Sequence, residues 1–89
     1  MKITAQVEYG LRIMVRISRC KDETGLSIRQ LSEAEGLSTN YVAKLTRLLR
    51  IQGLINSTRG HMGGYVLAKP AATITVNDTL KALGGILFD

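Results

Sequence analysis

The chain is 89 residues long, the size of one small domain, which excludes an organisation in two full domains. Hydrophobic residues make up 45% and charged residues 21%, close to globular averages, so a disordered tail or a low-complexity linker is excluded as well. The formal net charge is +5, and all of the excess lies in residues 36–70, which carry no Asp or Glu, a distribution that predicts a polyanionic or acidic partner.

The first predicted element is a helix that runs from an N-cap at Thr4 to about Cys20. Its apolar stripe at helical spacing consists of Val7, Leu11, Met14, Val15 and Ser18. Glu8 stands four residues before Arg12 on the opposite stripe, which is the spacing of a helical ion pair. We expect residues 21–25, which follow this helix, to form an exposed loop.

Two further helices are predicted next, joined by a short turn. The first opens with a capping box made by Ser27 and Gln30 and stops at Gly36. The second begins at the N-cap Ser38 and runs to about Gln52. The predicted buried residues are Ile28, Leu31 and Ala34, then Tyr41, Val42, Leu45, Leu48 and Leu49. A short helix, a glycine turn and a longer helix are typical of a helix-turn-helix.

A β-hairpin and a last helix complete the predicted elements. Strand-like runs at 54–59 and 65–68 flank a glycine-rich tip at 60–64. The last helix, capped by Thr75, is predicted over 76–83. Its predicted buried residues are Val76, Leu80 and Leu83. The order α-α-α-β-β-α predicts a mainly α domain with a small β-hairpin, a winged helix-turn-helix over residues 1–89.

The chain shows no targeting or membrane signal. No apolar signal core follows Met1, and nowhere do about 18 apolar residues run together. We therefore expect a cytoplasmic protein with no membrane partner. The single cysteine, Cys20, excludes an internal disulfide and cannot ligate zinc or a cluster by itself, so we interpret it as a buried thiol near a helix end.

The outward face of the third helix is polar. If its apolar residues point into the core, one face is formed by Thr39, Asn40, Ala43, Lys44 and Arg47. Such a face fits the major groove of B-DNA, where Asn suits adenine and Lys or Arg suits guanine. Taken alone, the helix leaves open the alternative of an ordinary solvated face.

The hairpin favours the DNA interpretation. Arg59 lies at its shoulder and His61 in its loop, and a tip with few side chains fits the narrow minor groove. The glycine loop lacks the Lys-Ser/Thr ending of a phosphate-binding P-loop and joins two strands, which excludes that reading. No cysteine near His61 in the chain provides a nucleophile, so we expect no enzyme; His61 either contacts DNA or is an exposed loop residue.

Several strings of the sequence resemble one known family, the Rrf-type family of bacterial winged-helix transcription regulators. They are the run from Glu35 to Leu45, Leu48-Leu49-Arg50, Gly53-Leu54-Ile55, Arg59-Gly60, and Gly63-Gly64-Tyr65-Val66-Leu67-Ala68-Lys69-Pro70. The family includes the iron-sulfur cluster regulator, the nitric-oxide-sensitive repressor and the cysteine-metabolism repressor. The resemblance covers nearly all of the chain and is most specific in the Arg-Gly-x-x-Gly-Gly-Tyr string of the wing.

The resemblance implies a homodimer that binds double-stranded DNA and represses, or sometimes activates, transcription, with a recognition helix at about 38–52 in the major groove and a wing at 59–65 in the minor groove. The DNA-binding residues it implies are Ser38, Thr39, Asn40, Tyr41, Ala43, Lys44 and Arg47 in the helix, and Arg59, Gly60, His61, Gly63 and Gly64 in the wing. Some members carry an acidic residue where this chain has Ala43, so their base preference does not transfer. The alternative is a winged-helix module that docks another protein.

Many members of the family continue into a long dimerisation helix and a loop whose three cysteines bind an iron-sulfur cluster. Both are absent from this sequence, and three large apolar residues stand near its end, so we expect a longer native protein. We expect no cofactor and no metal in this chain; a cluster belongs to the longer protein. In some members an acidic residue on the first helix adds a cluster ligand, and Glu8 matches it, with an ion pair to Arg12 as the alternative.

Overall fold

The computed structural model describes residues 4–58 and 63–84. Its helices are α1 Ala5–Arg19, α2 Ile28–Glu35, α3 Thr39–Ile51 and α4 Val76–Gly84, its antiparallel strands are β1 Ile55–Ser57 and β2 Tyr65–Leu67, and a 3-10 turn covers Ala71–Thr73. The predicted order is confirmed, and the 3-10 turn before α4 is an addition to it. Within these residues no helix is both long and apolar enough to cross a bilayer.

Each helix begins at a polar cap, as predicted. The Thr4 hydroxyl accepts a hydrogen bond from the Val7 N–H, and Ser27 forms the complete capping box with Gln30. At α4 the Thr75 hydroxyl accepts from the Asp78 N–H (3.0 Å). Because each cap satisfies backbone donors that a helix end leaves without partners, these starts are encoded within a few residues of sequence.

The core lies between α1, α3 and α4, with α2 and the hairpin closing its edges. Its buried apolar residues are Val7, Ile13, Met14, Ile17, Leu31, Val42, Leu45, Leu49, Leu54, Ile55, Ala82 and Leu83. Gly10 lets α4 approach α1 closely, since a Cβ there would lie 2.0 Å from Leu83 Cδ1. The Gln6 side chain also donates to the Leu83 carbonyl oxygen. α1 is therefore the element around which the other helices pack.

The predicted buried stripe of α1 is partly wrong. The buried residues of α1 are Val7, Gly10, Ile13, Met14 and Ile17. Val15 is instead 48% exposed, and Ser18 is exposed as well. Both stripes have helical spacing, and the core uses the one that contains the glycine, because only that face admits α4 at close range. Leu11 and Val15 lie on a second apolar stripe of the helix surface.

The burial of several other helical side chains also differs from the prediction. On α4, Leu83 is buried as predicted, together with Thr79 and Ala82, whereas Leu80 is half-buried and Val76 is 65% exposed. Ala34 is exposed, and Cys20 is half-buried at the C-cap of α1 and not fully buried. On α3, Thr46 is buried although it is polar, because its hydroxyl donates to the Val42 carbonyl oxygen of its own helix (2.9 Å).

The loop after α1 is not simply exposed, because its end joins the hairpin. β1 and β2 pair in the register Ile55 with Leu67, and Leu26 forms an isolated bridge with Tyr65 on the other side of β2. Gly25 is buried there, with φ at 74° and no room for a Cβ against the Tyr65 carbonyl group. The left-handed backbone and the close approach both require glycine at this position.

Candidate nucleic-acid interface

The turn between α2 and α3 sets the start of the predicted recognition helix. α2 ends at Gly36, whose φ of 67° is left-handed, and the Leu37 N–H donates to the Ser32 carbonyl oxygen (3.1 Å). The Ser32 hydroxyl in turn donates to the Leu37 carbonyl oxygen. Ser38 then caps α3 by accepting from the Tyr41 N–H (3.1 Å). These bonds form a helix-turn-helix whose turn is built from local contacts.

α3 presents the predicted polar face to solvent. Its exposed members are Thr39, Asn40, Lys44 and Arg47, and Ala43 is half-buried beside them. The opposite face carries Val42, Leu45 and Leu49, which are fully buried. The structure therefore brings the predicted helix residues together on one surface, while their contact with DNA stays a prediction.

Tyr41 differs from the other predicted contacts, because it faces α1. Its side chain is half-buried and packs edge-on against Tyr9, with ring centroids 6.3 Å apart and planes at 82°. Such an edge-to-face pair is a stabilising aromatic geometry. The sequence placed Tyr41 both on the buried face and among the DNA contacts, and the structure gives its ring a packing role.

The cations of the outward face have no acidic partner among the residues that the structure describes. The ion pairs found there involve Arg12, Arg16 and Arg29, and none includes Lys44 or Arg47. The acids of α2 are already paired elsewhere, since Glu33 contacts Arg29 at 3.2 Å and Glu35 contacts the arginines of α1. The charge of α3 is therefore available for phosphates or base edges.

The base of the wing is held by a threonine that the sequence analysis missed. The Thr58 hydroxyl accepts from the Gly64 N–H (2.9 Å) and lies 3.0 Å from the Thr24 carbonyl oxygen, to which it donates. Asp22 supports Thr24 by accepting from its N–H (2.9 Å) and its hydroxyl (2.8 Å), and these bonds hold the pKa of Asp22 below its usual range. The sequence signal that could have indicated this role is the position of Thr58 directly before the Arg59-Gly60 string.

Gly64 is required by close packing at the same place. A Cβ on it would lie 2.7 Å from both the Thr24 carbonyl oxygen and the Leu26 carbonyl carbon. The wing residues Arg59, Gly60 and His61, which the sequence predicts to contact DNA, lie outside the described residues. Gly63 is described and half-buried.

The described residues do not supply a ligand set for an iron-sulfur cluster. Cys20 is the one cysteine of the chain, and among residues 4–58 and 63–84 no three His, Cys, Asp or Glu side chains come together as a metal site. Glu8 lies 3.5 Å from Arg12, so the ion pair is present. Ligation of a cluster by Glu8 in a longer protein stays a prediction.

Comparison with known protein families gives a match over residues 3–87 to the Rrf2 family, described as iron-dependent transcriptional regulator. Protein rrf2 of Nitratidesulfovibrio vulgaris is 41% identical over 83 residues, which are 93% of this chain and 55% of that protein. The transcriptional regulator CymR of Bacillus subtilis is 36% identical over 85 residues, which are 96% of this chain and 62% of that protein. The chain thus spans less than two thirds of either relative.

Solved structures agree with this match. The structure of CymR, the global cysteine regulator of B. subtilis, has a TM-score of 0.84 at 36% identity, over 96% of this chain and 65% of that one. T. potens IscR also has a TM-score of 0.84, at 34% identity, over 97% of this chain and 63% of that one. Both the family resemblance and the winged-helix fold predicted from the sequence are confirmed.

Proposed function

Because the chain belongs to the Rrf2 family of transcriptional regulators, which are not enzymes, we propose that its α3 reads the major groove of a promoter and its wing enters the adjacent minor groove. The observation that carries this proposal is the outward face of α3. Asn40, Lys44 and Arg47 lie exposed on a helix whose other face is the core. An α-helix is about 10–12 Å wide, which matches the roughly 12 Å major groove of B-DNA.

Electrostatics supports the same surface. The proposed interface carries Lys44 and Arg47 without a paired acid in the described part of the chain, so a phosphate can approach without first displacing a carboxylate. Each basic side chain that neutralises a phosphate releases condensed counterions, which makes affinity fall as salt rises. Salt dependence is therefore a signature of this mode of binding.

The homodimer and repression are also part of the proposal. Two recognition helices about 34 Å apart read two half-sites on one face of the duplex, and a dimer seated there blocks the promoter. An apolar groove between α1 and α4 is lined in part by Leu11, Val15 and Val76. Val15 and Val76 are 48% and 65% exposed, and apolar exposure of this extent supports a surface that a second copy of the chain covers in the homodimer. A regulator of promoters acts in the cytoplasm of a bacterium.

The test begins with a duplex selected by the protein itself from a random-sequence library. Fluorescence anisotropy across a salt series then compares the parent with Arg47→Ala and Lys44→Ala. We expect Arg47→Ala to weaken binding by about 1–3 kcal/mol, and Lys44→Ala to do the same or to reduce the salt slope by about one.

Lys81→Ala is the matched control, since Lys81 is an exposed cation of α4 outside the proposed interface. Heparin, a polyanion, should displace the duplex. Equal, salt-insensitive binding of all four proteins would contradict the proposal. Failure to enrich any duplex would favour the protein-docking alternative.

A further inference from the structure

Resting on the proposed function, we infer that Glu35 is a positioning residue: two arginines of α1 hold its carboxylate and thereby set the angle at which α3 meets DNA. Glu35 is the last residue of α2 and directly precedes the glycine of the turn. Its side chain is only 5% exposed. A carboxylate this buried loses most of its hydration, so opposite charge or hydrogen bonds must compensate for that loss.

Both carboxylate oxygens of Glu35 have a cationic neighbour on α1. Arg16 donates from Nε to Glu35 Oε2, and Arg12 Nη1 lies 3.8 Å from Oε1. Arg16 Nη2 also lies 3.3 Å from the Ala34 carbonyl oxygen, to which it donates. Arg16 thus binds both the Glu35 carboxylate and the Ala34 carbonyl oxygen, one of the carbonyl groups that the end of α2 leaves without a helical partner.

Local effects do not explain an acid at this position. A helix C-terminus carries partial negative charge, so a carboxylate there is unfavourable by about 0.3–1 kcal/mol unless a cation compensates. The contact with Arg16, 19 residues away in sequence, is the compensating interaction.

A second contact holds the other side of the same turn. Tyr41, in the first turn of α3, packs on Tyr9 of α1, and the Arg12 guanidinium carbon lies 5.7 Å from the centre of the Tyr9 ring. Tyr9, Arg12 and Arg16 follow each other at i, i+3 and i+7, so they form one stripe of α1. This α1 stripe contacts α2 just before the turn and α3 just after it.

A positioning role and a purely electrostatic role of Glu35 predict opposite effects of Glu35→Gln on binding to the selected duplex. If Glu35 only contributed negative charge, Glu35→Gln would tighten binding to every duplex, because it removes repulsion from phosphates. If Glu35 positions α3, the same change weakens binding to the selected duplex, where geometry matters, and leaves non-specific binding unchanged or tighter. The ratio of the two dissociation constants therefore separates the two roles.

The experiment compares the duplex selected by the parent with a scrambled duplex of equal length. For Glu35→Gln we expect the ratio of scrambled to selected dissociation constants to fall about five- to tenfold, within the range of coupling found for contacting charged residues. Arg16→Gln should lower the ratio similarly, and the double variant no further. Thermal unfolding of each variant, followed by circular dichroism, shows that the protein measured is folded.

A charge-swapped variant, Arg16→Glu with Glu35→Arg, covers the case in which Glu35→Gln does not fold; it also carries Arg12→Gln, because Arg12 would otherwise repel the guanidinium introduced at position 35. It restores an opposite-charge pair and should recover most of the ratio. Equal tightening on both duplexes by Glu35→Gln, or a folded swap variant that does not recover the ratio, would overturn the inference. Failure of the proposed function is distinguishable, because then the parent enriches no duplex and Arg47→Ala binds scrambled DNA as the parent does.

Discussion

The packing at the base of the wing gives a sharp prediction for Gly64→Ala. The added Cβ would lie 2.7 Å from the Thr24 carbonyl oxygen and 2.7 Å from the Leu26 carbonyl carbon. Ordinary contacts are about 3.4 Å or longer, so backbone must move by roughly 0.7 Å. A side chain could rotate away from such a clash, but these atoms belong to a paired segment.

The cost follows from the bonds that this movement strains. Leu26 donates to Tyr65 (3.1 Å) and accepts from it (2.8 Å), while Thr58 donates to Thr24 (3.0 Å). Overpacking typically costs about 1–3 kcal/mol, and each weakened hydrogen bond adds about 0.5–1.5 kcal/mol. Since all three bonds need not be lost, we expect Gly64→Ala to lower the free energy of unfolding by about 2–3 kcal/mol.

Urea unfolding followed by far-UV circular dichroism measures this change. At an m-value of about 1 kcal/mol per molar urea, the midpoint should move down by roughly 2–3 M. Gly36→Ala is the matched control, because its Cβ would meet no atom within 4 Å and only its φ of 67° is unfavourable. The control should lose about 1 kcal/mol. A loss for Gly64→Ala no larger than that of Gly36→Ala would refute the packing argument.

Two other predictions concern α1 and the loop that follows it. Ile13→Ala, at a fully buried site, should cost about 2–5 kcal/mol of unfolding free energy. Val15→Ala, at a site 48% exposed, should cost less than about 1 kcal/mol at protein concentrations where the chain is monomeric. Equal losses would contradict the assignment of the buried stripe. Hydrogen bonds from Thr24 lower the folded-state pKa of Asp22. The ionised Asp22 carboxylate therefore stabilises the fold above its unfolded-state pKa near 4, and this stabilisation is lost as the pH falls through the folded-state pKa. The difference in unfolding free energy between the parent and Asp22→Asn should therefore shrink in acid; a difference independent of pH between 6 and 2.5 would contradict this.

Features that depend on neighbouring residues were predictable from the sequence. The caps at Thr4, Ser27, Ser38 and Thr75 were placed correctly, because a cap needs only a side-chain oxygen and an N–H two or three residues later. The outward face of α3 was equally predictable, since helical spacing determines which side chains share a face.

Features that depend on distant residues were not predictable. α1 carries two apolar stripes, and only the approach of α4 to Gly10 decides which one is buried. The bridge between Leu26 and Tyr65 joins segments 39 residues apart, so the loop before α2 appeared exposed. The pair of Arg16 and Glu35 has no sequence signature either, because neither spacing nor residue type distinguishes it from solvated surface charge.

Contact between the outward face of α3 and DNA can be measured residue by residue with nuclear magnetic resonance. A titration of the labelled protein with its selected duplex should shift the signals of Asn40, Lys44 and Arg47 and of the wing base near Gly64 most strongly. The backbone signals of α4 around Lys81 should move least. Largest shifts on α4, with the signals of Asn40 to Arg47 unmoved at saturation, would contradict the account.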